Sequence, residues 1–191
     1  MATNHPSHYT RLNWFYKWLP SLLNERKHLK MNKRLIKIFL GVSIGLYMLL
    51  VCFNNIMDYG SNFQFVSKVS GMEDVFSNKK NGWRSINSKV LQHIFYLIII
   101  AWEIVITLFV AVGVARMVRK LKSNAADFEY SKRFLTIGLF LGVILWFSIF
   151  VSIGGEWFLM WQSKIWNGQN NAFLLSISFM LFLIHHNLHD D

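Results

Sequence analysis

With a single cysteine, Cys52, in 191 residues, the chain can build neither an internal disulfide framework nor a zinc or iron–sulfur site made of several thiolates. Proline is almost missing, at two residues, so little interrupts helix formation. Charge is scarce as well. Charged residues make up 16% of the chain where an average soluble domain has about 25%, and 53% are hydrophobic, so the sequence is read with lipid as its main solvent. Acids are the rarer sign, ten Asp and Glu against twenty Lys and Arg, which leaves a net charge of +10. In membrane proteins such an excess collects on cytoplasmic loops, and no nucleic-acid partner is expected. A Gly-rich phosphate loop, a nucleophile elbow and a His-Glu-x-x-His pattern are also missing, so hydrolytic and nucleotide-driven chemistry have no support. No catalytic residue is expected, and the protein is read as a non-enzyme.

What is present are four apolar runs, to be compared with the roughly 20 residues an α-helix needs to cross the hydrocarbon core. They predict spans at 35–53, 94–115, 134–153 and 171–188. The last is the weakest: its apolar part, 172–184, is 13 residues long and spans only if Asn171, His185, His186, Asn187 and Leu188 sit at the interfaces. Continuous rather than alternating apolarity argues for helices and against barrel strands. Lys37, near the start of the first span, is expected to snorkel toward headgroups. The expectation is an all-α membrane protein, a four-transmembrane-helix bundle with an extracytoplasmic loop cap. Residues 54–93 and 154–170 are its outer loops, 116–133 its inner loop and 189–191 its tail.

Fourteen Lys and Arg lie before the first span, just inside it, or between spans two and three, and six lie on the opposite side. The positive-inside rule therefore puts both termini in the cytoplasm of a multi-pass inner (plasma) membrane protein. Residues 1–30 mix Trp14, Phe15, Tyr16 and Trp18 with Arg11, Lys17, Arg26 and Lys27, a pattern suited to the membrane surface, and Pro20 is expected to break any helix there. They read as a basic, aromatic extension or as sequence ahead of an internal start at Met31, and no signal peptide is expected.

Helix association in lipid relies on small residues and interhelical hydrogen bonds. Gly41 and Gly45 in the first span, and Gly138 and Gly142 in the third, have the required spacing, for packing inside one chain or for a homodimer seam. Thr107, Ala111 and Ala115 repeat it below Glu103. Glu103 is the sharpest single signal. Nine residues from Ile94, at about 1.5 Å per residue, it falls near mid-membrane, where an ionisable side chain costs on the order of 3 kcal/mol and should face protein or water. Two readings stand: Glu103, with Thr107, is a proton or ligand site for coupled transport, or it is a structural acid bonded to Ser43, Tyr47 or Ser148.

Cofactors are not expected. His93 lies at the outer end of span two and His185 and His186 at the inner end of span four, too far apart to share a haem. The terminal His185, His186, His189, Asp190 and Asp191 follow no strong metal spacing, and surface solvation is the default for them. No metal site is expected.

Two motifs flank the outer face. One contains Asn54, Asn55, Asp58, Tyr59 and Asn62, the other Glu156, Trp157, Trp161, Gln162, Trp166, Asn167 and Gln169; Trp83 and Arg84 lie between them. Trp and Tyr anchor helices at headgroup depth, but these amides and acids exceed what anchoring needs. Arg84 is expected to pair with the carboxylates, and Asp58 and Glu156 are candidates to hold a cation or a partner, or to make plain structural hydrogen bonds. Partners expected are membrane lipid and a membrane protein or a second copy.

At these motifs, with Phe63, Phe65, Val66, Glu103, Trp146, Phe147, Gly154, Gly155, Met160, Ser163 and Gly168, the sequence resembles a bacterial family of predicted small integral membrane proteins. The resemblance covers about residues 31–184. It implies a four-span membrane protein and no reaction, and typical members begin near Met31, which makes residues 1–30 a departure. The functional expectation is an accessory or interaction subunit of a membrane complex, with a small proton-coupled transporter using Glu103 as the alternative.

Overall fold

The structure, a computed structural model, describes residues 8–76 and 81–189, with side chains from residue 24 onward apart from Arg26. The surface-seeking aromatic side chains of 14–23 and the tail acids Asp190 and Asp191 lie outside the described residues. Among those described there is no strand. The helices are α1 (His8–Met57), α2 (Tyr59–Ser70), α3 (Lys89–Arg119), α4 (Ala125–Ser131), α5 (Arg133–Val143) and α6 (Gln169–Asn187). A π-helical stretch, Ile144–Trp157, continues α5, and single 3-10 turns lie at Gly82–Arg84 and Met160–Gln162.

Helices Lys27–Met57, Lys89–Arg119 and Ala125–Trp157 are long and apolar enough to cross a membrane. Among the described residues they are the three that qualify. α6, the expected fourth span, does not, because Asn170, Asn171, His185, His186 and Asn187 dilute its apolar middle. It is nevertheless a 19-residue helix packed along α5 and the π stretch. α1 passes through Pro20, correcting the break expected there; a proline withdraws one N–H from the ladder and the bonds on either side hold the helix. Residues 54–93 are not a loop throughout. α1 runs to Met57, the chain breaks at Asp58 (φ −110°, ψ 53°), and α2 follows with Phe63, Val66 and Val69 on one side. The amide-rich composition of this stretch conceals a helix whose polar residues serve the break.

α3 is the central element, with α1 against one side and α5 against another. Its buried residues are Gln92, Tyr96, Ile100, Glu103, Ile106, Val110, Gly113 and Met117, the mixed three- and four-residue spacing of one helix face. Ala111 and Ala115 are exposed. The expected small-residue row below Glu103 thus misses the packing face, because a strict four-residue step drifts about 40° per turn around a helix of 3.6 residues per turn. The close approach of α3 to α5 is made by Gly113, where a Cβ would stand 2.3 Å from the Leu135 backbone nitrogen, and by Gly138, where it would stand 2.8 Å from Val110. Gly41 lies against Leu135 and Val114, Gly45 against Val110, and Gly142 against the Phe179 ring of α6, 2.1 Å from a built Cβ.

Basic residues lock one end of the bundle. Arg34 Nη1 donates to the carbonyls of Leu121 (2.9 Å) and Ser123 (2.8 Å), and its guanidinium lies 4.4 Å from the Phe128 ring centroid. Lys37 is 3% exposed and does not snorkel; with Lys132 it donates to the Leu188 carbonyl at the end of α6. Helix C-termini leave carbonyls without partners and carry partial negative charge, so a nearby ammonium is drawn inward. His186, expected at the surface, is buried, with Nε2 3.2 Å from the Lys132 carbonyl.

The opposite end is where the loops meet. Val69, Met72, Phe158, Leu159 and Met160 form a second buried cluster, joined by Phe65, Val75, Ile86 and Trp166. Met72 (φ 53°) and Leu159 (φ 56°) both hold left-handed backbone conformations that bulky residues rarely adopt. One comes from each loop, and both are buried in this shared cluster, whose packing holds them in place.

Candidate functional site

Glu103 lies midway along α3 and faces the last turn of α1. Asn55 Nδ2 donates to both of its carboxylate oxygens, at 2.9 and 2.8 Å. The backbone carbonyl of Asn55 in turn accepts from Tyr96 Oη at 2.9 Å, and Thr107 Oγ1 donates to the Glu103 carbonyl at 2.8 Å. At 1% exposure the carboxylate is sealed between α1 and α3. Its partner is Asn55; the expected partners Ser43, Tyr47 and Ser148 do not bond it, and Ser43 turns back onto the Phe39 carbonyl. Thr107 bonds the backbone of Glu103 and not its side chain.

The break at Asp58 absorbs most of the first amide motif. Ending a helix in an apolar setting leaves carbonyls that need donors from inside the protein. Asn62 Nδ2 supplies one, to Asp58 (3.0 Å) and more distantly to Asn54 (3.5 Å). Tyr59 Oη is 2.8 Å from His93 Nδ1, and the Phe63 ring stacks on the same imidazole at 3.8 Å between centroids. Gln92 Nε2 donates to the carbonyls of Ser67 and Ile86, pinning both ends of the following segment.

The second motif goes mainly into joining the loops. Asp74 accepts from Ser163 Oγ (2.7 Å), Lys164 N (3.1 Å) and Ile165 N (3.4 Å), and these bonds, that of Ser163 foremost, hold its carboxyl below the ordinary carboxylate range. Gln162 Oε1 accepts from the Phe76 amide at 3.1 Å, while Phe76 meets Trp161, and Phe65 meets Trp166, edge to face. Asn167 Oδ1 accepts from the Gln169 amide at the start of α6. Gln169 Nε2 donates to Glu156 Oε1 at 3.2 Å, and Gly155 lets it approach, since a Cβ there would lie 2.5 Å from that nitrogen.

Arg84 does not pair with a carboxylate. Its Nη1 donates to the Trp157 carbonyl (3.2 Å) and its Nη2 to Asn81 Oδ1 (2.7 Å), with the indoles of Trp83 and Trp157 at 5.9 and 5.5 Å from the guanidinium carbon. Beside it a cavity of about 790 Å³ opens between α2, α3 and the π stretch. Phe65, Val69, Phe95, Ile99, Phe150 and Ile153 are among its walls, and Arg84, Glu156 and Trp157 belong to its lining. Glu103 does not line it.

The expected outer-face residues therefore fall into separate places: Asn55 with Glu103, Asn54, Asp58, Tyr59 and Asn62 at the helix break, and the rest between the loops. Asp58 sits at the break and Glu156 on the π stretch, and among the described residues no three His, Cys, Asp or Glu converge as metal ligands. Sequence reasoning missed Asp74, Tyr96, Trp102 and Gly113. Tyr96 is two turns from Glu103 on the same helix face, a spacing that could have flagged it. Trp102 Nε1 donates to the Leu141 carbonyl at 3.1 Å, close to where α5 passes into the π stretch. That shift from i−4 to i−5 bonding disturbs the ladder and leaves room for a side-chain donor.

A family model described as predicted small integral membrane protein, domain of unknown function 2165, matches residues 33–189. No curated protein and no solved structure matches significantly.

Proposed function

The chain belongs to the family of predicted small integral membrane proteins of unknown function, and on that premise we propose that it is a non-enzymatic accessory or interaction subunit of an inner-membrane complex, with four spans and both termini cytoplasmic. α6 supports the fourth crossing. At about 1.5 Å per residue its 19 residues reach nearly the 30 Å of the hydrocarbon core. One end is tied to Glu156, and the other, through the Leu188 carbonyl, to Lys37 and Lys132. The basic residues of the first span and of the link before the third gather at that same end, which agrees with a cytoplasmic face.

The observation that carries the interaction reading is the construction of the loop end. The loops form an outer cap with its own buried cluster and polar clamps, and it presents Phe76, Trp83, Trp157, Trp161 and Ile165 on its exterior, Trp83 at 72% exposure. An exposed aromatic surface of this kind is suited to recognition, because aromatic side chains supply large apolar contact area to a docking partner. The expected small-residue faces have less to offer a partner: Gly41, Gly45, Gly138 and Gly142 each lie against a helix of the same chain. Co-purification from native membranes tests the proposal. A larger membrane protein is expected to accompany the tagged chain and to be lost on Trp83→Ala with Trp161→Ala; recovery of the chain alone at every expression level would refute it.

Proton-coupled transport at Glu103 has weaker support, since both carboxylate oxygens are occupied by Asn55 and the cavity does not reach them. Solute or proton flux in liposomes that disappears in Glu103→Gln would reverse that ranking.

A further inference from the structure

We propose that the side cavity is a binding site for one zwitterionic phospholipid carrying a primary ammonium, its acyl chain lying between α2, α3 and the π stretch and its headgroup set between Arg84 and Glu156. Volume and lining point the same way. At about 790 Å³ the space falls in the range of built ligand sites, and its apolar walls, including Phe95, Ile99 and Phe150, suit hydrocarbon. An empty apolar groove surrounded by lipid forfeits dispersion contacts that an acyl chain supplies.

The headgroup assignment rests on charge. Arg84 and Glu156 both line the cavity and do not bond each other. Arg84 has five N–H donors, of which two bond Trp157 and Asn81, leaving others to take a phosphate. Glu156 is exposed and accepts one bond from Gln169, so its carboxylate keeps lone pairs for an ammonium. Trp83 and Trp157, edge to face at 5.6 Å, flank the arginine as aromatic residues do at headgroup depth.

A phosphate followed by an ammonium, joined to acyl chains, meets the arginine, the acid and the apolar walls in one molecule. A partner's apolar helix in the same groove would cover Arg84 and Glu156 without satisfying either, an arrangement that desolvation disfavours. A quaternary choline headgroup offers Glu156 no N–H, and an uncharged glycerol headgroup offers it no cation.

The test uses the full chain, stripped of lipid in detergent and titrated with phosphatidylethanolamine, phosphatidylcholine and phosphatidylglycerol of identical chains, bound lipid being counted by native mass spectrometry. One phosphatidylethanolamine per protein is expected to persist at about tenfold lower lipid concentration than the other two. Glu156→Gln should erase that preference by weakening phosphatidylethanolamine most, and Arg84→Gln should weaken all three by about tenfold. Ile98→Trp, a partly exposed cavity position, should displace all three without altering circular dichroism and serves if either headgroup variant misfolds. Equal retention of the three lipids, a preference that survives Glu156→Gln, or a protein segment recovered in place of lipid would overturn the proposal. The result is independent of whether a larger membrane protein co-purifies.

Discussion

Glu103 and Asn55 form a closed pair, and the energetics of closing it decide what each side chain is for. A buried carboxylate without donors is far costlier than one whose oxygens are occupied, and Asn55 occupies both. Asn55→Ala is therefore expected to lower stability by about 1–3 kcal/mol, and Asn55→Asp by more, since it sets a second acid against the first. Glu103→Gln keeps an oxygen for the Asn55 amide and should unfold close to the parent protein. Thermal unfolding in detergent checks all three; a Glu103→Gln variant as unstable as Asn55→Asp would mean that the charge itself holds the helices together. The acid was legible in the sequence because it interrupts an apolar run. Its partner was not. Asn55 lies 48 residues away, in a stretch whose amides read as loop, and only the docking of α1 on α3 brings them together.

Between elements, glycine and the loop clamp set the tolerances. Gly113→Ala places a methyl against the Leu135 backbone, which a flexible side chain cannot relieve, so α3 and α5 must separate and stability should fall by about 1–3 kcal/mol. Gly60→Ala meets nothing within 4 Å, and better helix propensity should stabilise α2 by up to about 1 kcal/mol. Unfolding midpoints of the two variants should therefore move in opposite directions. Asp74 links the loops with an acid-sensitive clamp. Its carboxyl titrates lower in the folded protein than in the unfolded chain, so its contribution is present above the ordinary carboxylate value and is lost as pH falls through the lowered one. Hydrogen exchange at the Lys164 and Ile165 amides is expected to show protection that declines in that acid range, while Asp74→Ala leaves them poorly protected at every pH. Acid-independent protection in the parent would show that the clamp does not depend on the carboxylate. α2 and the clamp were hidden in the sequence for a common reason: short helices and loop contacts are stabilised by what they pack on, and local composition does not report that.

At the scale of the molecule, the number of crossings decides which end of the fold faces which compartment. Three helices of 31 to 33 residues qualify by length and apolarity, and α6, with 19 residues, falls short by composition. Thiols introduced one at a time as Lys120→Cys, Ser85→Cys and Asn187→Cys in a Cys52→Ser background read the topology through a membrane-impermeant label. Lys120→Cys and Asn187→Cys are expected to react from one side and Ser85→Cys from the other. Reaction of Asn187→Cys together with Ser85→Cys would leave α6 on the surface and the fold with three crossings. The four-residue Gly spacings were visible in the sequence, but the packing face of α3 was not, because three- and four-residue steps must be mixed to stay on one side of a helix.

The sequence alone determined the solvent and the class of the molecule: apolar runs of sufficient length, scarce charge and almost no proline commit the chain to helices in lipid, since the bilayer acts on each segment locally and nearly additively. Tertiary structure decided which buried polar group meets which. It set Asn55 on Glu103, Trp102 on the Leu141 carbonyl, Lys37 at the end of α6 and Asp74 across the loops. Each of these bonds joins residues far apart in the chain, and such pairings exist only once the helices have docked and removed the alternatives.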